Sequence, residues 1–187
     1  AMHLIAKVGC SSRYHHQQDE GHISLYAGGE DWLVDSGLYN YVNQDPVRKY
    51  MRGRSGHNVP VVSHAAYDSE FEHRLSAWRV EDFNESDSGP YIDMNLKVMP
   101  PVVHDRNIKF DANKKIVDVE DRIVSEDGKE RNVTLYWHFP KDKTLVVDNG
   151  VVLVTSTKGN LLQVEFSGAR PSTLSIAKGE KDGKVFS

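Results

Sequence analysis

Two-residue alternation of apolar and polar side chains is the feature that most narrows the folds open to this chain. Val133, Leu135, Trp137 and Phe139 alternate with Thr134, Tyr136 and His138, and Val117, Val119 and Ile123 keep the same beat. Successive side chains of a strand point to opposite faces, so both runs read as strands buried on one side. Asp127-Gly128 separates these runs, and Asn149-Gly150 separates Leu145-Val146-Val147 from Val151-Val152-Leu153-Val154. Both dipeptides accept the left-handed backbone of a tight turn, which predicts two successive hairpins. Gly28-Gly29, Lys158-Gly159-Asn160 and Asp182-Gly183 mark further turns, and apolar residues nowhere recur at helical spacing for several turns. The expected class is all-β: stacked antiparallel sheets, a β-sandwich or supersandwich with little helix.

The 187 residues are 39% hydrophobic, enough for one sizeable core without covalent staples, so a single domain spanning 1–187 is expected. Cys10 is the only cysteine. It excludes an internal disulfide and a multi-cysteine zinc site, and reads as a small buried apolar residue. With 23 Lys and Arg against 27 Asp and Glu, the net charge of −4 gives nucleic acid no general attraction; an anionic ligand needs a local cluster. No apolar run approaches the roughly 20 residues that span a bilayer, and no signal-peptide layout opens the chain, so a soluble chain is expected. The start at Ala1-Met2, running at once into the strand-like His3–Val8, suggests a piece excised from a longer protein. Glu81–Pro90, acidic and rich in turn formers, reads as a solvated surface loop rather than a calcium loop. Asn132-Val133-Thr134 and Asn84-Glu85-Ser86 fit the glycosylation sequon without carrying an argument.

Polar residues concentrate in the first third, in Tyr14–His22, Leu33–Gly37, Tyr39-Asn40-Tyr41 and Arg48–Asn58. Histidine, tyrosine and arginine together suit a site that moves protons and holds a carboxylated or sulfated sugar, because Arg forks onto such anions while Tyr and His exchange protons. The plainer reading, polar groups pinning long loops, weighs about equally on spacing alone.

The order of these motifs resembles the heparinase II/III family. His15-x-x-x-Asp19, Ile23 through Gly37 followed by Tyr39 and Tyr41, then Arg48, Arg52 and His57-Asn58 carry the resemblance, and Val103–Phe110, Val119-Glu120-Asp121 and Leu135–Pro140 extend it. It covers nearly the whole chain. Such a resemblance implies the C-terminal β-sandwich of a bacterial polysaccharide lyase, one that cuts uronic-acid-containing polymers, glycosaminoglycan or alginate-like, by β-elimination. It also implies two partners: an acidic polysaccharide or oligosaccharide, and an N-terminal helical toroid supplying the opposite wall of the site. The compartment stays open among secreted, periplasmic and cytoplasmic.

By the same resemblance His15 takes the first histidine place of the family's His-x-His-x-Asp-like motif and is the candidate base. Gln17 stands where the second histidine is expected, as a poorer zinc ligand than imidazole. The remaining candidate ligands for a structural zinc or calcium ion are Asp35 and His57, and a hydrogen bond between them is the alternative; weak or no zinc binding is expected. His16 and His22 rank lower for either task. Tyr14, Tyr39, Tyr41, Arg48 and Arg52 are the candidate substrate contacts, with Tyr39 and Tyr41 placed on one strand face. In the alternative, Arg48, Arg52 and Arg54 pair with Asp45, Asp35 or Glu30. Two further readings compete: a non-catalytic carbohydrate-binding or structural module, and a small metal-dependent β-barrel enzyme, which the missing His-x-His pair weakens. The separated piece should be inactive or nearly so.

Overall fold

A computed structural model describes every residue except 11, 13, 87, 88, 169–172, 178, 182, 183 and 187. Its first sheet joins β1 (Met2–Ala6), β2 (Ile23–Ala27) and β3 (Glu30–Leu33) in chain order, all antiparallel. Gly28 and Gly29, at φ of 63° and 83°, make the tight β2–β3 turn that their sequence predicts. Between β1 and β2 the chain makes a long excursion, residues 7–22, which carries the histidine cluster.

A seven-residue helix, α1 (Pro46–Arg52), follows. Asp45 caps it by accepting from the backbone N–H groups of Val47 (2.8 Å) and Arg48 (3.4 Å), and Pro46 fills the first turn, where its missing N–H is not needed. One 3-10 turn (Arg54–Gly56) leads through His57-Asn58 into β4 (Pro60–Val62), and α2 (Phe71–Ser76) precedes the largest sheet. That sheet is the meander β5 (Trp78–Ser86), β6 (Gly89–Met99), β7 (Val102–Asp111) and β8 (Ile116–Ser125). The short β9 (Val133–Leu135) returns to pair with β4. A third antiparallel sheet is β10 (Thr144–Asp148), β11 (Val151–Thr155) and β12 (Leu161–Glu165), and β13 (Gly179–Lys181) pairs with β14 (Lys184–Phe186).

Three sheets share one core: Ile23 and Leu25 from β2, Trp32 and Leu33 from β3, Met94 and Leu96 from β6, Ile108 from β7, and Val152 and Val154 from β11. Burying each large side chain stabilises by about 1.5–3 kcal/mol, so these residues hold the layers together. The all-β sandwich expectation holds, and among the described residues no helix is long and apolar enough to cross a membrane.

Four local expectations are corrected. The β10–β11 hairpin forms at Asn149-Gly150 (φ 49° and 83°), but Asp127-Gly128 makes no β8–β9 hairpin, since β8 pairs with β7 and β9 with β4. The Asp127 turn is closed instead by its own ion pair with Arg131 at 2.6 Å. Only Val133–Leu135 of the alternating run is strand; beyond it the chain is pinned between loops, with Tyr136 N–H donating to Val59 C=O (3.3 Å) and Val34 N–H to His138 C=O (3.0 Å). Within Glu81–Pro90, residues up to Ser86 lie in β5 and those from Gly89 in β6; Arg79 to Asn84 are all exposed, so no buried face marked the strand. Residues 87 and 88, and the expected Asp182-Gly183 turn, lie outside the described residues. Tyr39 and Tyr41 share no strand face: the chain from Val34 to Asp45 is irregular and Tyr39 sits at φ 67°.

The buried face of β7 explains how the site is held. Its inward positions include His104 and Arg106, at 0% and 1% exposure, where alternation alone would place apolar residues. Asp121 on β8 accepts from Arg106 Nε (2.7 Å) and Nη2 (2.9 Å) and from His104 Nε2 (2.6 Å). Arg106 Nη1 donates to the carbonyls of Gly21 (2.6 Å) and Asn58 (2.7 Å), so one core guanidinium fixes both loops that carry the polar clusters. Gly21, at φ 88°, has no room for a side chain: a Cβ would meet Leu96 Cδ1 at 2.9 Å.

Candidate functional site

Asn58, fully buried, ties three segments together. Its Nδ2 donates to Ile23 C=O (2.8 Å) and Val34 C=O (3.2 Å), its Oδ1 accepts from His138 N–H (2.6 Å), and its backbone N–H donates to His22 Nδ1 (3.0 Å). That last bond settles the His22 tautomer: Nδ1 accepts, so the ring proton is on Nε2, which meets Ser24 Oγ at 3.0 Å. Burial pushes the pKa of His22 down to about 4 against the pull of Asp35. His57, also fully buried, donates from Nδ1 to Asp35 Oδ2 at 2.8 Å, and its ring stands edge-on to His22 with centroids 5.7 Å apart. Burial works to raise the Asp35 pKa, but the bonds from His57 and from Gly37 N–H (2.7 Å) prevail and hold it below its ordinary value. His138 Nε2 meets Ser55 C=O at 2.9 Å, and its ring stacks on Tyr136.

His22, Asp35 and His57 can each offer one ligand atom with all three inside 4.8 Å, and His57 Nε2 is buried without a hydrogen-bond partner. Two imidazoles and a carboxylate are a donor set of the zinc type. His22 would be the third donor only by giving up its bond from Asn58, because its one lone pair, on Nδ1, already accepts from that N–H. Gln17 instead buries its side-chain oxygen with no partner.

A second cluster is built around Glu20, at 0% exposure. Its Oε1 accepts from Tyr67 Oη (2.8 Å) and His16 Nε2 (2.9 Å), while Arg54 Nη1 stands 3.9 Å from Oε2. Burial would raise the Glu20 pKa, but the His16 and Tyr67 hydrogen bonds win and lower it. Burial first, then the Glu20 carboxylate, push the Tyr67 phenol well above its usual range. Burial brings Arg54 down to about 10, so it stays a cation at neutral pH. Arg74 donates to His16 Nδ1; an arginine can only donate, so the His16 ring proton is on Nε2, facing Glu20.

Above this cluster opens a pocket of about 430 Å3, lined by His16, Arg48, Lys49, Arg52, Tyr67 and Arg74 among others. His15 is not among the lining residues; it stands exposed in the turn next to His16, at φ 55°. Tyr14 and Tyr41 are exposed, and the Arg48 guanidinium lies 5.6 Å over the Tyr41 ring while donating to Asn40 C=O. Arg52 donates to His16 C=O at 2.5 Å, and Arg54 to Pro60 C=O at 3.1 Å. The arginines therefore use backbone carbonyls and Glu20 rather than the anticipated Asp45, Asp35 and Glu30. Glu30 is held elsewhere, by Lys143 (3.2 Å) and Ser156 (3.0 Å).

The structure brings together Asp35 with His57, Arg48 with Tyr41, and Arg52 with the backbone beside His15. Sequence reasoning missed Glu20, Tyr67 and Arg74 and set His16 and His22 aside. The i, i+4 spacing of His16 and Glu20 was visible, whereas Tyr67 and Arg74 reach His16 from 51 and 58 residues away.

Comparison with known proteins agrees with this architecture. The family described as Heparinase II/III-like, C-terminal matches residues 1–184. Two curated relatives are each a heparin-sulfate lyase: one from Bacteroides stercoris is 24% identical over 93% of this chain and 25% of its own length, and one from Pedobacter heparinus is 25% identical over 97% and 26%. The chain thus spans about a quarter of the relatives it matches. Among solved structures, a mutant of the heparan sulfate lyase HepC from Pedobacter heparinus superposes with a TM-score of 0.80 at 20% identity, over 98% of this chain and 29% of that one. A heparinase III superposes with a TM-score of 0.62 at 20% identity, over 80% and 22%.

Proposed function

The chain belongs to the heparinase II/III-like, C-terminal family, and from that premise we propose that it forms the β-sandwich wall of a lyase that cuts a uronic-acid-containing glycosaminoglycan of the heparin or heparan sulfate type. In β-elimination a base takes the proton beside the uronate carboxyl group, the carbon–oxygen bond of the glycosidic linkage breaks as a double bond forms, and the departing oxygen takes up a proton. The carboxylate must be neutralised while charge builds on it.

The observation that carries this reading is the cationic pocket lined by His16, Arg48, Lys49, Arg52 and Arg74, cations of the kind that hold acidic sugars, with the exposed His15 next to His16 in the chain. We assign His15 the role of base, and the acid on the opposite wall to the remainder of a longer parent protein, a helical toroid. Since the chain spans about a quarter of its relatives, such a remainder has ample room. His22, Asp35 and His57 would hold a divalent cation that braces the loops.

The test follows the ultraviolet absorbance of the new double bond on heparan sulfate. The full-length parent should release unsaturated product, and the 187-residue chain alone almost none. A parent that binds the polymer but never yields unsaturated product would make this chain a carbohydrate-binding module.

A further inference from the structure

We infer that the pocket between α1 and α2 is an oxyanion subsite, a preformed seat for one sulfo or carboxylate group of the bound sugar chain, in which Lys49 and Arg74 act beside Arg48 and Arg52. The identity of the polymer rests on the lyase reading; the anion chemistry does not.

Four cations face this pocket from two separate elements, Arg48, Lys49 and Arg52 from α1 and Arg74 from α2, and no carboxylate is among its lining residues. Of the acids around it, Glu20 is fully buried, its Oε1 taken by His16 and Tyr67 and its Oε2 standing 3.9 Å from Arg54, and Asp45 accepts from the first N–H groups of α1. Internal neutralisation of the four charges is therefore incomplete. Arg48 and Arg74 are each only 7% exposed, and the Nε atoms of both are buried without a hydrogen-bond partner. A buried guanidinium N–H normally has an acceptor, so two such open donors on neighbouring residues of one pocket call for an acceptor from outside the chain.

The same two guanidinium groups are held in place by other contacts. Arg48 donates to Asn40 C=O and lies over Tyr41; Arg74 donates to His16 Nδ1 and lies 5.9 Å over Tyr67. Their planes are fixed before ligand arrives, which reduces the ordering cost of binding. Planar forks of this kind match the oxygens of a sulfate ester or a carboxylate, and Lys49, exposed at the rim, adds a point charge.

The experiment measures affinity of the full-length protein for a sulfated heparin tetrasaccharide and for an unsulfated tetrasaccharide of the same backbone, at two salt concentrations. Lys49→Glu, an exposed position, and Arg74→Gln should each weaken binding about tenfold or more, the size of one lost charge-assisted contact, and should flatten the salt dependence. Loss confined to the sulfated sugar assigns the sulfo group; equal loss with both sugars assigns the carboxylate. Wild-type affinity in Lys49→Glu and in a folded Arg74→Gln overturns the subsite. Assaying the same preparations for unsaturated product separates the two claims: turnover with unchanged affinities leaves the lyase standing and removes the subsite, while weakened affinity without turnover in the wild type does the reverse.

Discussion

His57 donates from Nδ1 to the Asp35 carboxylate at 2.8 Å, and this contact turns the other ring nitrogen, Nε2, into buried space where it has no partner. Asp35 is also one of the three donors grouped for a cation, so a bound cation would take the place of this hydrogen bond. Counting Gln17 as a lost ligand predicts weak zinc binding, but the fold supplies His22 to the same place. Zinc is accordingly expected to raise the melting temperature of the chain; at a hundredfold excess over Kd the linkage is worth about 2.7 kcal/mol. His22→Ala should abolish the shift. No shift in the wild type would leave Asp35 and His57 as a hydrogen-bonded lock alone.

Asp121 should dominate acid stability. Burial works to raise its pKa, yet the hydrogen bonds from Arg106 and His104 hold it well below the ordinary carboxylate range. Its contribution is therefore complete above the unfolded value of about 3.9 and is lost as pH falls further. His104 acts earlier. Burial lowers its pKa despite the bond to Asp121, so the unfolded chain takes a proton first as pH drops through about 6.5, and stability declines from there. Asp121→Ala leaves the Arg106 charge buried and uncompensated, at a cost of about 3–5 kcal/mol. Denaturant melts from pH 7 to pH 3 would check both points, with Glu81→Ala, which removes only a surface pair with Arg79, leaving the midpoint nearly unchanged.

What the sequence made legible was local. Asn149-Gly150 demands positive φ at both residues, so it marks its hairpin without knowledge of the rest of the fold. Asp127-Gly128 makes a turn as well, but the partners of the flanking strands, β7 and β4, come from distant parts of the chain. The α1 cap was also written in Asp45-Pro46, yet Val47 and Met51 are too few apolar residues to signal a helix by periodicity. In the site, the Asp35–His57 pairing followed from motif order. Arg74 and Tyr67 gave no signal, because their place is set by the packing of α2 and the segment before it against the excursion between β1 and β2.

His15 and Arg52 offer the sharpest test of the proposed chemistry, because the structure gives them different kinds of work. His15 is exposed, so its loss removes an imidazole without opening the core. In the full-length parent, His15→Ala should lower kcat at least about tenfold, a threshold set below the roughly hundred- to ten-thousand-fold that acid–base help typically supplies, and change KM little. Arg52, expected from sequence to grip the polyanion, spends one guanidinium nitrogen on the His16 carbonyl. Arg52→Ala should consequently raise KM, with less salt sensitivity, and also lower kcat, because the turn bearing His15 loses its anchor. Arg52→Lys should restore part of the charge but not that anchor, recovering KM more than kcat. Steady-state rates of unsaturated product at several salt concentrations resolve the two parameters. Unchanged kcat in the His15→Ala parent would take this residue out of the mechanism.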